Sequence, residues 1–143
     1  MKLEKLMNEQ VANLIVFYVK LHNYHWFVKG NQFYRLHELL DDMYVEITNV
    51  YDEVAERMLM LEMKPVATIK ESLALATIKE ATGKETTVEM VENVLSDYRY
   101  LDERFKAVLD AAEAIEDDVT ADLMTTVRAD FQKHIWMLRE WLK

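Results

Sequence analysis

Apolar residues recur at steps of three and four along the start of the chain: Leu3, Met7, Val11, Leu14, Tyr18 and Leu21. This is one stripe of a helix with a 3.6-residue period. The next position on the stripe is His25, a polar group where the apolar face should continue. Gly30 can close this helix in a left-handed conformation, and Asn31 can cap the one that follows. A second helix is expected from about Gln32 to Leu61, stopped by Pro65. Thr68 and Glu71 have capping-box spacing ahead of a short helix running to about Ala76. The stretch ATGKET then reads as a turn, and Thr86 with Glu89 forms another possible capping box. A third long helix carries Val91, Leu95, Tyr98, Leu101, Phe105, Val108 and Ala112 on its stripe. Asp118 or Thr120 can cap a fourth, with Leu123, Val127, Phe131, Ile135, Leu138 and Leu142 facing inward.

The pattern predicts an all-α protein: four long helices, with a short extra helix in the long connection between the second and third. A bundle with one such crossover has ferritin-like connectivity rather than simple up-down order. No internal repeat or low-complexity segment divides the chain, so residues 1–143 are expected to form a single domain.

Composition narrows the chemistry. The chain has two glycines, one proline and no cysteine. Scarce helix breakers suit long helices. Without cysteine there is no disulfide, thiolate metal site or thiol nucleophile. The absence fits a reducing compartment, and cytoplasmic localisation is expected. The first residues, MKLEKLMNEQ, are mixed in charge and do not read as a signal peptide. No apolar run reaches the roughly 18 residues of a membrane span. Net charge is −9, from 17 basic and 26 acidic residues. A chain so acidic lacks the basic patch that nucleic-acid binding needs.

The second helix carries the chemistry. His37 and Asp41 are four residues apart, as are Asp52 and Glu56, and such pairs meet on one helix face. From Asp41 to Asp52 is close to three full turns, so all four groups share that face. Carboxylates alone would read as a solvated acidic face. His25 in an apolar register, with His37 early in the next helix, changes the balance. Two imidazoles with three carboxylates suit iron, manganese or zinc better than calcium or magnesium. Asp41 and Asp52 nevertheless lie about 16 Å apart along the helix, while metal–ligand bonds are ~2 Å. One chain cannot close one site. The Glu-x-x-His motif of ordinary di-iron bundles is also missing. An antiparallel pairing of the second helix with its own copy resolves both facts, because a two-fold contact sets 41 against 52 and 37 against 56. In that arrangement the axis passes near Glu46 and Ile47. Each site then takes His25, His37 and Asp41 from one chain, and Asp52 and Glu56 from the other.

These residues resemble the Dps family of mini-ferritins. The sharpest match is HW-x-V-x-G-x-x-F-x-x-LH, with His25, Trp26, Val28, Gly30, Phe33, Leu36 and His37, followed by Asp41, Asp52 and Glu56. The segment KHIWML at 133–138 is also similar to the family's last helix. The resemblance implies a ferroxidase centre between two-fold-related subunits of a hollow homo-dodecamer that oxidises Fe²⁺ and stores ferric mineral. Hydrogen peroxide would be the usual oxidant, dioxygen the other. Iron (Fe²⁺/Fe³⁺) is then the metal, His25, His37, Asp41, Asp52 and Glu56 are the ligands and catalytic residues, and Glu56 is the central one. Trp26 would intercept stray oxidising equivalents, with plain core packing as its competing role. In EDDVTAD, Asp117 and Asp122 would line the pore that admits iron, while Asp118 has helix capping as its simpler role. Glu46 and Glu53 are further acids that could face the cavity. DNA-binding members typically carry a Lys/Arg-rich tail. Here the first helix begins almost at once, so DNA binding is not expected, nor is a membrane partner.

Overall fold

The computed structural model describes residues 2–143, and every described element is helical. In chain order they are α1 (Lys2–Phe27), α2 (Phe33–Met60), α3 (Ile69–Leu75), α4 (Thr87–Ala114) and α5 (Asp118–Trp141). The four long helices and the short α3 in the crossover match the expected architecture. The α1 stripe is buried at Leu3, Met7, Val11, Leu14 and Leu21, and the α4 stripe from Val91 to Ala112 is buried throughout. Phe17, Tyr98, Phe105 and Phe131 fill the centre edge to face or tilted, at ring separations of 5.1 to 5.6 Å. Burying each such ring contributes roughly 1.5–3 kcal/mol.

Helix ends differ from expectation in instructive ways. Gly30 does adopt a left-handed backbone, at φ 99°. Asn31 does not cap α2, however. Its N-cap is Gln32, which makes no side-chain capping bond. Pro65 does not stop α2 either. The helix ends in a Schellman turn, with Glu62 at φ 60°, its amide donating to Leu59 and the Met63 amide to Met58. The same device ends α4, through Glu116. Thr86 and Glu89 form the full capping box, and Thr68 accepts from the Glu71 amide at α3. The cap of α5 is Asp117, not Asp118 or Thr120. Its carboxylate accepts from the Thr120 amide at 3.0 Å.

The crossover is pinned along α1 by polar side chains that stripe analysis does not reveal. Asn8 accepts from the Val66 amide and donates to the Lys64 carbonyl. The fully buried Asn13 accepts from the amides of Thr77 and Ile78. Tyr24 donates its phenol to Glu85 at 2.7 Å. The asparagine bonds satisfy backbone groups that a strapped-down loop would otherwise bury unpaired. A nearly buried Lys20–Asp97 pair, 2.8 Å apart, ties α1 to α4. The opposite edge, between α2 and α5, is bridged by polar groups: Glu46 with His134 at 2.7 Å, and Arg57 with Asp117 at 3.1 Å.

Candidate metal centre

The Gly30 turn folds α2 back beside α1 and brings His25 against His37. The two rings stack, with centroids 3.7 Å apart and planes 11° from parallel. Their Nδ1 atoms make reciprocal hydrogen bonds to main chain. His25 Nδ1 donates to the His37 carbonyl at 2.6 Å, and His37 Nδ1 donates to the His25 carbonyl at 2.8 Å. A carbonyl only accepts, so each Nδ1 carries the proton and each Nε2 presents a lone pair. Fixing tautomer and ring orientation through the second nitrogen is how proteins prepare a histidine to bind metal. His25 is buried and His37 half-buried.

Asp41 lies one turn beyond His37, near the phenol of Tyr44. Partial desolvation, and then the neighbouring Asp41 carboxylate, push the phenol of Tyr44 above its ordinary range. Asp52 and Glu56 form a separate exposed pair further along α2. The charge of Asp52, and a hydrogen bond between the two carboxyls, raise Glu56 above the usual carboxylate range. Among the described residues, no group of three or more ligand side chains converges in one chain. The structure thus brings His25 and His37 together, leaves Asp41 one turn away, and keeps Asp52 and Glu56 apart from all three.

Midway between Asp41 and Asp52, the residues Glu46 and Ile47 lie off the face that carries His37, Asp41, Asp52 and Glu56. Ile47 is fully buried in the chain's own core, and Glu46 turns to His134. The ligand-bearing face carries Val45 and Thr48 at its midpoint. It also leaves Tyr34 79%, Val45 48% and Leu59 60% exposed. Trp26 is not a core aromatic: it is 63% exposed and packs beside His22.

Asp117 is engaged locally. Burial would raise it, but the Thr120 hydroxyl and amide and the Arg57 guanidinium hold its carboxyl below the ordinary range. Asp118 and Asp122 are exposed, as is Glu53. His22 escaped the sequence reading as a member of this cluster. Its signal was its place one turn before His25. The ring stacks on Tyr44 at 3.7 Å.

Four antiparallel-type long helices with a strapped crossover, and paired imidazoles between the first two, define a ferritin-like protein. The ferritin-like domain model matches residues 4–143. General stress protein 20U of Bacillus subtilis is 45% identical over 99% of this chain and 97% of its own length. A DNA protection during starvation protein from Brevibacillus brevis is 44% identical, over 96% of this chain and 93% of its own. The crystal structure of a Dps protein from Bacillus brevis superposes with a TM-score of 0.96 at 43% identity, covering 99% of this chain and 95% of that one. The chain belongs to the Dps family.

Proposed function

We propose that the protein is a ferroxidase that oxidises Fe²⁺ at sites shared between two copies and stores the ferric product inside a hollow dodecamer. The observation that carries this is the reciprocal His25–His37 pair, in which both Nδ1 atoms are spent on main-chain carbonyls and both Nε2 lone pairs are left for a metal. In the pairing that sets 41 against 52, these nitrogens and Asp41 complete a site with Asp52 and Glu56 of the partner subunit. The same register lays the exposed Tyr34 over Leu59 of the partner subunit, and Val45 over Thr48 of the partner subunit. This supports the pairing independently of the ligands.

Fe²⁺ is the substrate. Neutral imidazoles hold it in the reduced state, and hard carboxylates favour the ferric ion once an electron has left. With hydrogen peroxide the balance is direct: two Fe²⁺ give one electron each, the O–O bond breaks, and two protons complete two waters. No hydroxyl radical is released. Dioxygen serves as the alternative oxidant. Trp26, exposed and beside His22, is placed to give an electron to a stray oxidant. Asp122 and Asp117 are our candidates for the acids lining the iron pore. Asp117 already serves Arg57 and Thr120, so Asp122 is the freer of the two.

The test is anaerobic Fe²⁺ loading followed by a peroxide pulse. His37→Ala should lower the oxidation rate at least tenfold. An unchanged rate would refute the site. A hybrid of His37→Ala chains with Glu56→Ala chains should regain activity, because one of its two shared sites keeps every ligand.

A further inference from the structure

The end of α2 and the start of α5 enclose a cleft lined by Glu53, Glu56, Arg57 and Met60 on one side and Asp122 and Leu123 on the other. Met60 stands one turn beyond Glu56, so its thioether opens on the same cleft as that carboxylate. It is unlike the other methionines. Met7, Met43, Met58, Met63, Met90 and Met124 are buried, and Met137 is 42% exposed against 68% for Met60. A thioether in the core fills space, whereas one facing solvent is open to oxidants. Met60 is also held in place. Arg57 donates from Nη1 to its sulfur at 3.8 Å. The same guanidinium is anchored on the start of α5, through Nε to the Thr120 hydroxyl at 2.9 Å and through Nη2 to Asp117 at 3.1 Å. An exposed side chain thus has a fixed donor on one side of its sulfur.

We propose that Met60 is a modification site, at which hydrogen peroxide transfers an oxygen to the thioether and a single sulfoxide epimer forms. The sulfur attacks one peroxide oxygen with a lone pair. The S–O bond forms as the O–O bond breaks. The proton on the transferred oxygen passes to the departing one, which leaves as water. Sulfur loses two electrons and peroxide gains the same two. Hydrogen peroxide is uncharged, so the acids around Met60 do not repel it. A thioether carries two lone pairs, and attack from one or the other gives opposite epimers of the chiral sulfoxide. An unconstrained methionine offers both. In Met60 the Arg57 N–H occupies one, so oxygen adds at the other. Met137, exposed and without a hydrogen bond to its sulfur among the described residues, is the natural comparison. The step needs no metal, so it goes beyond the peroxide chemistry proposed above without depending on it.

The competing explanation is that Met60 is oxidised only because it is exposed, and the epimer ratio separates the two. The experiment treats the assembled protein, stripped of metal by a chelator, with hydrogen peroxide. Digestion and mass spectrometry follow sulfoxide at Met60 and Met137 over time. Met60 should be oxidised at least twofold faster. The digest is then split between the two methionine sulfoxide reductases, which reduce opposite epimers. One reductase should clear nearly all of the Met60 sulfoxide, while each clears about half of the Met137 sulfoxide. In Arg57→Lys, which keeps the charge and loses the guanidinium fork, the Met60 sulfoxide should become an even mixture. If that variant fails to assemble by native mass, Arg57→Leu replaces it with the same expectation. Equal rates at the two methionines, or an even mixture at Met60 in wild type, overturn the proposal. A single epimer that persists without Arg57 overturns it as well. Each of these failures leaves the ferroxidase reading standing, because that reading is tested by iron loading.

Discussion

At the scale of single residues, geometry separates histidines and acids that the sequence leaves equivalent. Three imidazoles present Nε2 and one does not, and the difference is only which carbonyl or carboxylate stands nearby. Glu85 shows the same for an acid. Desolvation raises it, but the Thr82 amide, the Tyr24 phenol and the Thr82 hydroxyl outweigh that and bring it down to about 2 from an ordinary 4.5. A folded-state pKa below the unfolded one means the ionised form stabilises the fold. That contribution is complete above about 4.5 and is lost as the pH falls toward 2. Glu85→Gln should therefore melt below wild type at pH 7. The difference should shrink steadily between pH 4.5 and 2, measured by thermal unfolding across that range. A gap independent of pH would mean that Glu85 acts by packing alone.

At the scale of elements, the turn between α1 and α2 does the most for the site. Gly30 sits at φ 99°, and a Cβ there would meet nothing within 4 Å. Any cost of Gly30→Ala is thus backbone strain rather than a clash. A left-handed backbone costs an L-residue roughly 1–2 kcal/mol. Gly30→Ala should destabilise the protein by about that much, which urea unfolding would measure. It should also loosen the His25–His37 pair and weaken Co²⁺ binding, read by calorimetry. Wild-type stability with wild-type binding would show that the turn tolerates a side chain. The helix ends follow a different rule. Glu62 and Glu116 accept left-handed conformations because their turns satisfy the last carbonyls of α2 and α4. No glycine or proline marks those positions, so the sequence does not announce them.

At the scale of the whole molecule, the proposed site needs a second copy of the chain. The α2 face that carries His37, Asp41, Asp52 and Glu56 also exposes Tyr34, Val45 and Leu59. Val45 stands at the midpoint of the proposed pairing. Val45→Arg should therefore lower the native mass from the proposed twelve times 17.0 kDa and abolish the proposed iron oxidation, although every proposed ligand remains on the chain. Size-exclusion chromatography with light scattering measures the first and the peroxide pulse the second. Activity in a monomeric variant would disprove a shared site. Among the described residues no helix is long and apolar enough to cross a membrane.

Much of this protein is legible in its sequence because its signals are local and periodic. The stripes on α1, α4 and α5 predict the helices and most of the core. Spacing along α2 puts His37, Asp41, Asp52 and Glu56 on one face and shows, from helix rise alone, that they cannot meet in one chain. Other features depend on side chains meeting across the bundle, and no period encodes those encounters. Glu46, midway along α2 between Asp41 and Asp52, turns to His134. Asp117, expected at a pore, also caps α5 and holds Arg57. Trp26, expected in a core or as a radical trap, stands exposed beside His22. The tautomers of His22, His25 and His37 were decided last of all. They depend on carbonyls that face those rings only once α1 and α2 are folded together.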